Sequence, residues 1–185
     1  MRAVVLVEGA SDRAALEALA ERRGRDLEAE GVVVVPIGGA QAIGRVLEEL
    51  GPRGRDLRLA GLCDAGEERD FRRALERAGF GADLTRADME RLGFYVCDAD
   101  LEDELIRAVG VEGVEAVAAA QGELPAFRTL QKQPAWRGRA AHEQLRRFMG
   151  SGGRRKIRYA RLLVETLDPA RIPRPLDRVL AHVTP

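Results

Sequence analysis

Acidic side chains stand at the ends of three short hydrophobic runs in this sequence. Glu8 and Asp12 follow the first run, Asp64 follows the second, and Asp100 and Glu102 follow the third. Carboxylates that gather in one place repel one another, and a cation offsets that repulsion. Hard oxygen ligands of this kind suit Mg²⁺ or Mn²⁺. The pattern therefore indicates metal-dependent phosphoryl chemistry.

Each of these acids also has a purely structural interpretation. Asp12 could cap a helix, and Glu8 could be a solvated strand end. Asp64 could belong to a helix N-terminus, where the helix dipole favours negative charge. Because three such clusters occur together, the metal site is the favoured interpretation.

Further acids lie near the same strand ends. We expect Glu67 and Glu68 to belong to a helix N-terminus rather than to the site. Asp98 is a weaker ligand candidate than its neighbours, and we expect Asp103 and Glu104 to lie on the surface.

Basic residues form one concentrated patch near position 156. The chain has 30 basic and 30 acidic residues, so no overall field attracts nucleic acid and any basic face must be local. Lys156 stands among Arg154, Arg155 and Arg158, which suits contacts with nucleic-acid phosphates. The alternative is a solvated helix start. Positive charge at a helix N-terminus is electrostatically unfavourable, however, which slightly favours a functional role.

Hydrophobic periodicity predicts the elements that would position these residues. Four short apolar runs each precede a helical pattern, which predicts an α/β fold with a parallel sheet, right-handed crossovers and helices on both faces. We expect this core to occupy residues 1–110 and a helical extension to occupy 111–185. The predicted strands are 4–7, 32–35, 57–63 and 94–97. The predicted helices of the extension lie near 114–120, 140–148, 157–167 and 176–183.

Composition excludes several classes of protein. Hydrophobic residues make up 45% of the 185 residues and charged residues 32%, and no apolar run approaches the ~20 residues of a membrane span. A strand begins almost at the N-terminus, so we expect no signal peptide. Cys63 and Cys97 stand alone within apolar runs, which favours buried thiols in a reducing cytoplasm over a disulfide or a cysteine metal site.

Other residues carry weaker patterns. The segment 38–41 follows a strand and opens a helix, as an anion-binding loop would, although a plain turn is the favoured interpretation. His142 and His182 lack partners at metal-ligand spacing, and Trp136 is expected to be a packing anchor.

These residues resemble a known family. The run Val7-Glu8-Gly9-Ala10-Ser11-Asp12 after the first strand, Asp64 after the third, and Asp100-Leu101-Glu102 after the fourth are similar to a Toprim domain. This metal-binding catalytic domain is shared by type IA and type II topoisomerases, bacterial primases, recombination proteins and small nucleases. The pattern is most similar to the Toprim domains of OLD-family nucleases. The helical extension resembles that of standalone members.

The resemblance implies a Rossmannoid fold and a two-metal nuclease, acting as an endonuclease or nickase on DNA. Glu8, Asp12, Asp64, Asp100 and Glu102 would hold two Mg²⁺ or Mn²⁺ ions. One ion would activate water and the other would stabilise the leaving oxygen. Lys156, supplied by the extension, would neutralise charge on the phosphate, and Glu8 could also act as a general acid or base.

Two departures from the family pattern leave alternatives open. Gly66 stands where the pattern expects a second aspartate, so the protein could instead be a weakly catalytic module that binds nucleic acid or an ATPase. No Gly-Lys-Ser/Thr loop occurs in the sequence, so we expect any ATPase partner to be encoded separately. An RNA-processing Toprim nuclease would use the same metal site. A receiver-like phosphoacceptor would leave the C-terminal helices unexplained.

Overall fold

Four parallel strands form the predicted sheet in a computed structural model that describes residues 2–39 and 42–184. The strands are β1 (Ala3–Val7), β2 (Val32–Pro36), β3 (Arg58–Asp64) and β4 (Phe94–Cys97). Their order in the sheet is β2-β1-β3-β4, and every neighbouring pair is parallel. The predicted α/β fold with a parallel sheet flanked by helices is therefore confirmed. Ala40 and Gln41 of the predicted loop 38–41 lie outside the described residues.

The strand order places a topological switch between β1 and β3. From β1 the chain crosses to β2 on one side, and it later returns to β3 on the other side. Ligands of open α/β sheets bind in the crevice at such a point, outside the carboxyl ends of the strands. Glu8 directly follows β1 and Asp64 is the last residue of β3, so the switch separates two of the predicted ligands.

Side chains of the strands alternate between two hydrophobic layers because successive residues point to opposite faces. Val5 and Val7 of β1 pack into one layer, whereas Val4 and Leu6 pack into the other. Both layers are covered by helices, which explains why the strands are continuous apolar runs.

Ten helices surround the sheet in the described part of the chain. Three of them, α2, α3 and α4, contribute to one layer, and the others contribute to the second layer. The helices are α1 (Ala10–Arg22), α2 (Ile43–Leu50), α3 (Glu68–Ala78), α4 (Arg86–Arg91), α5 (Leu101–Val109), α6 (Val111–Ala120), α7 (Leu124–Lys132), α8 (Ala141–Met149), α9 (Gly153–Thr166) and α10 (Arg174–His182).

Two of these helices were not predicted from the sequence. The polar connection before β4 contains α4, which Thr85 begins by a capping box with Asp88. The other is α7, in the segment between the predicted helices near 114–120 and 140–148, and Pro125 lies in its first turn. Proline is tolerated there because the missing N–H group would have no partner within the helix.

Helix α9 brings the C-terminal region onto the sheet. Tyr159, Leu163 and Val164 of α9 are buried in the same hydrophobic layer as α1. Arg22 of α1 donates hydrogen bonds to the carbonyls of Val164 at 2.6 Å and Leu167 at 2.8 Å, which satisfies groups at the end of α9. The hydrophobic layer is continuous across position 110, and the division of the chain there stays a prediction. None of the described helices is both long and apolar enough to span a bilayer.

Candidate metal and nucleic-acid site

Glu8 and Asp12 lie on the two sides of the turn from β1 into α1. The Gly9 amide donates a hydrogen bond to Oδ2 of Asp12 at 2.8 Å, which holds the carboxylate back over the start of α1. Asp12 therefore has the capping role that was the structural alternative. Only 8% of Asp12 is exposed, and burial raises the pKa of its carboxyl against the lowering effect of the Gly9 bond.

Asp64 experiences the combined field of the acidic cluster. Its burial, and then the nearby carboxylates of Glu8, Asp12 and Asp100, raise the pKa of Asp64 to about 8. A side-chain hydrogen bond with Glu8 acts in the same direction. The ends of three adjacent strands thus bring the other three carboxylates close enough to raise the pKa of Asp64.

Asp100 begins α5 and has both carboxylate oxygens engaged. Oδ1 accepts the Asp103 amide at 2.8 Å, which is a helix N-cap interaction. Oδ2 accepts the Nε hydrogen of Arg146 at 2.8 Å and also contacts the Nη2 group of that guanidinium. The Arg146 guanidinium therefore already neutralises one of the predicted metal ligands.

Glu102 projects from the first turn of α5 into a protected position. It is 5% exposed, and its Oε2 lies 3.3 Å from Nζ of Lys156. Its Oε1 is buried and finds no hydrogen-bond partner among residues 2–39 and 42–184. Burial raises the pKa of Glu102, although the Lys156 ammonium opposes that rise. A buried carboxylate oxygen without a partner is costly unless something else binds it.

Lys156 enters this cluster from the first turn of α9. Burial by itself would lower the pKa of Lys156, but the carboxylates of Glu102, Asp12 and Glu8 outweigh that effect and raise it. The ammonium therefore stays charged among the acids and stands where a phosphate could meet it.

The donor set suits a hard divalent cation. The partnerless Glu102 oxygen and the raised pKa of Asp64 both indicate negative charge that Lys156 and Arg146 offset only in part. Within the described ranges, however, no three acidic, histidine or cysteine side chains are grouped closely enough to hold a metal ion as they stand. The residues therefore fit the cation by chemistry, and their side chains would have to shift to bind it.

The third acidic cluster differs from the prediction in two residues. Glu104 was expected on the surface but is buried, and its Oε1 accepts the Asp98 amide at 2.9 Å. Asp103 is largely covered, with Oδ1 lying 2.6 Å from Nε2 of His142. The reason is that α8 packs beside α5 and gives His142 the acidic partner that its sequence position did not suggest. Asp98 is exposed, as suits its weaker candidacy.

Glu68 does not supply the carboxylate that is missing at Gly66. The carboxylate of Glu68 forms an ion pair with Arg86, which holds it outside the cluster. Gly66 itself is exposed, and a Cβ atom built there would have nothing within 4 Å. The end of β3 beside Asp64 therefore has space for the aspartate that the family pattern expects at position 66.

Two members of the predicted nucleic-acid patch are engaged by an acid. Arg158 Nη2 lies 2.7 Å from Oε2 of Glu123, and Arg155 Nη2 lies 3.3 Å from its Oε1. Arg154 is exposed and forms no ion pair within the part of the chain that the structure describes. The role of these three arginines in binding nucleic acid stays a prediction.

A second basic group, which the sequence analysis missed, lines an open cleft of about 550 Å³ beside the acidic cluster. Arg146 and Arg147 come from α8, and Arg139 from the loop before it. For Arg146 and Arg147 the signal in the sequence is that both lie off the apolar face of the predicted helix near 140–148. The cleft is lined by Asp100, Glu102, Trp136, Arg139, Glu143, Arg146, Arg147, Gly150 and Lys156.

Comparisons with known proteins agree with this fold. Residues 1–57 match the family model described as overcoming lysogenization defect protein-like, TOPRIM domain. The chain is similar to a solved C-terminal region of the Xanthomonas campestris pv. campestris OLD protein, with a TM-score of 0.75 and 24% identity over 98% of this chain and 91% of that one. It is also similar to the C-terminal region of the Burkholderia pseudomallei OLD protein, with a TM-score of 0.68 and 22% identity over 98% and 96% of the two chains. No curated protein matches the chain.

Proposed function

We propose that this chain is a Toprim domain of the OLD type and acts as a metal-dependent nuclease that hydrolyses phosphodiester bonds of DNA. The match of residues 1–57 to the family model and the similarity in fold to OLD C-terminal regions support this proposal. The observation that supports this proposal most is the convergence of three acidic strand ends with one lysine. Glu102 of this group is 3.3 Å from Lys156 and retains a buried oxygen without a partner in the described ranges.

In this proposal Glu8, Asp12, Asp64, Asp100 and Glu102 hold two Mg²⁺ or Mn²⁺ ions. Such ions supply an activated water and charge stabilisation in phosphoryl transfer. A carboxylate binds a cation in its ionised form, so Asp64 must release its proton when the metal ions bind. Asp100 must also exchange its contact with Arg146.

Lys156 and Glu8 act on the substrate side of the site. The raised pKa of Lys156 keeps its ammonium charged, so that it can bind a phosphate oxygen and stabilise charge that develops there. In this proposal Glu8, which is half-buried next to Asp64, accepts or returns a proton. Arg154, Arg155 and Arg158 remain candidate contacts for phosphates of the DNA.

We further propose that the protein acts in the cytoplasm with a separately encoded ATPase. The described thiols Cys63 and Cys97 are free and buried, which suits a reducing compartment. An RNA substrate would use the same residues.

A second function is favoured by two specific observations. Because no three ligating side chains are gathered in the described ranges and Gly66 supplies no carboxylate, the protein could bind nucleic acid without cutting it. Such a binding module would retain the basic cleft and lack only the hydrolysis of phosphodiester bonds.

Cleavage assays with matched variants test the proposal. We would incubate the protein with supercoiled and linear DNA in Mg²⁺, Mn²⁺ or EDTA, and compare Glu8→Gln and Lys156→Met with Glu48→Gln. Glu48 is an exposed glutamate of α2, so its variant controls for the loss of one carboxylate far from the site. We expect metal-dependent cutting that the two site variants reduce by ~100-fold or more.

Two results would count against the proposal in different ways. Cutting that survives Glu8→Gln would exclude this acidic cluster as the active site. Binding of DNA without cutting in any metal would favour the binding module.

A further inference from the structure

The cleft beside the acidic cluster is lined by an aromatic side chain as well as by charged ones. Trp136 lines it together with Lys156 and three arginines, although Trp136 belongs to a connecting loop and not to a helix. The sequence contains only this one tryptophan. Its side chain is half-buried rather than packed in the core, which differs from the packing role expected for it.

Buried polar groups fix the position of the Trp136 backbone. Gln144 of α8 is buried, and its Nε2 donates to the Trp136 carbonyl at 2.8 Å. The side chain of Gln131 in α7 donates in turn to Oε1 of Gln144 at 2.7 Å. Such a satisfied buried network is a means of holding a loop in one conformation.

Arg139 makes a cation–π contact with the indole ring. Its guanidinium carbon lies 5.1 Å from the centre of the Trp136 ring, and its Nε donates to the Ala135 carbonyl at 3.0 Å. Indole rings and guanidinium planes are the groups on which unpaired bases stack. The pair is therefore a ready platform for a base.

Charge along the cleft suits the backbone of a nucleic-acid strand. Arg147 is exposed and forms no ion pair with any residue in 2–39 or 42–184, so its guanidinium is free to bind a phosphate. Glu143 also lines the cleft, but it lies 3.7 Å from Arg139 and is partly neutralised. Asp100 and Glu102 also line the cleft, where they pair with Arg146 and Lys156.

We propose that this cleft binds an unpaired nucleotide next to the phosphodiester bond that is cut, with its base stacked on Trp136 and its phosphate bound by Arg147. The cleft volume of about 550 Å³ matches a site for one small ligand such as a nucleotide. A base that stacks on Trp136 must leave the base stack of a duplex. The substrate class is therefore DNA with a single-stranded segment. This inference depends on the proposed action on DNA.

Fluorescence of the single tryptophan tests the proposal directly. We would titrate the protein, in Ca²⁺, with a short single-stranded DNA oligonucleotide and with a blunt duplex of the same sequence. The single strand should change the Trp136 emission at lower concentration than the duplex. An unchanged emission, or an equal response to both forms, would overturn the inference.

Variants measured by polarisation of a labelled single strand provide an independent readout. Trp136→Ala should weaken binding by about tenfold or more, whereas Trp136→Phe should retain most of it because an aromatic platform remains. Arg147→Ala should lower the slope of log affinity against log salt by about 0.7. Arg45→Ala, an exposed arginine of α2 on the opposite layer, should leave the slope unchanged.

Two results separate strand binding in the cleft from the nuclease activity. A protein that cuts DNA in Mg²⁺ but shows equal effects of Arg147→Ala and Arg45→Ala retains the nuclease function and loses the cleft as its strand-binding site. A protein that binds single strands through Trp136 but never cuts loses the nuclease function alone.

Discussion

The guanidinium of Arg146 binds the carboxylate of Asp100, with Nε 2.8 Å from Oδ2, at the position where the acidic cluster meets the cleft. One predicted metal ligand is thus neutralised by a residue of α8 rather than by an ion. Release of Asp100 and exposure of the α8 guanidinium to a phosphate are therefore the same event. In the proposed function, the metal ions and the DNA would therefore each favour the other's binding through this exchange.

Arg146→Gln should strengthen metal binding. The variant removes the positive charge that competes for Asp100, so we expect several-fold tighter binding of Mn²⁺ in the absence of DNA. Calorimetric titration with Mn²⁺ measures the affinity. Arg147→Gln carries the same charge change without a contact to Asp100, and equal effects of the two variants would show that only the general field matters.

Stability of the metal-free protein should fall as the pH rises. The carboxyl of Asp64 releases its proton at its ordinary pKa of 3.8 when unfolded but keeps it to about 8 when folded. Between these pH values the folded state binds more protons than the unfolded state. The stabilisation from protonated Asp64 is therefore complete below the unfolded pKa of 3.8, and it is lost as the pH rises through the folded pKa of about 8. Urea unfolding in EDTA between about pH 5 and 9 measures this slope. The slope should flatten in Asp64→Asn, and parallel slopes for the two proteins would contradict the assignment.

Gly66→Asp should improve metal binding without disturbing the fold. The added side chain meets no atom near its Cβ, and it restores the acid that the family pattern expects beside Asp64. We expect a larger rise in the melting temperature on addition of Mn²⁺ than in the parent protein. Gly66→Asn has nearly the same shape without the charge, and it should show no such gain if the carboxylate is what binds.

Phe148→Ala should destabilise the helices that form the cleft. Phe148 is buried, and its ring centre lies 5.4 Å from that of Phe127 and 6.0 Å from that of Tyr159, so it joins α7, α8 and α9. Loss of a buried phenylalanine costs about 3–5 kcal/mol in the free energy of unfolding. Denaturant unfolding measures the loss, and Phe148→Leu should recover much of it. A loss below about 1 kcal/mol would mean that the three helices do not depend on this contact.

The acidic half of the site could be predicted because it depends on local patterns. Short apolar runs identify β1, β3 and β4. Parallel pairing then places the ends of these strands at one edge of the sheet. Glu8, Asp64 and Asp100 followed from that alone. Lys156 could be proposed because it stands in a basic run at the start of a recognisable helix.

The other half of the site depends on contacts between distant segments. Nothing local indicates that α8 lies beside α5, so neither the Arg146–Asp100 pair nor the His142–Asp103 contact could be predicted. For the same reason Glu123, 32 residues from Arg155 along the chain, could not be identified as the acid that engages it. Tertiary packing decides such pairs, and periodicity carries no information on them.

The two native thiols offer an experimental opportunity. Burial, followed by the fields of nearby carboxylates, raises the pKa of both Cys63 and Cys97, and the thiolate is the form that reacts with labelling reagents. A third cysteine, introduced by Arg147→Cys at the rim of the cleft, should therefore be modified selectively in the folded protein. A dye or spin label could then be attached there with both native cysteines in place, so that movement of α8 is followed in solution.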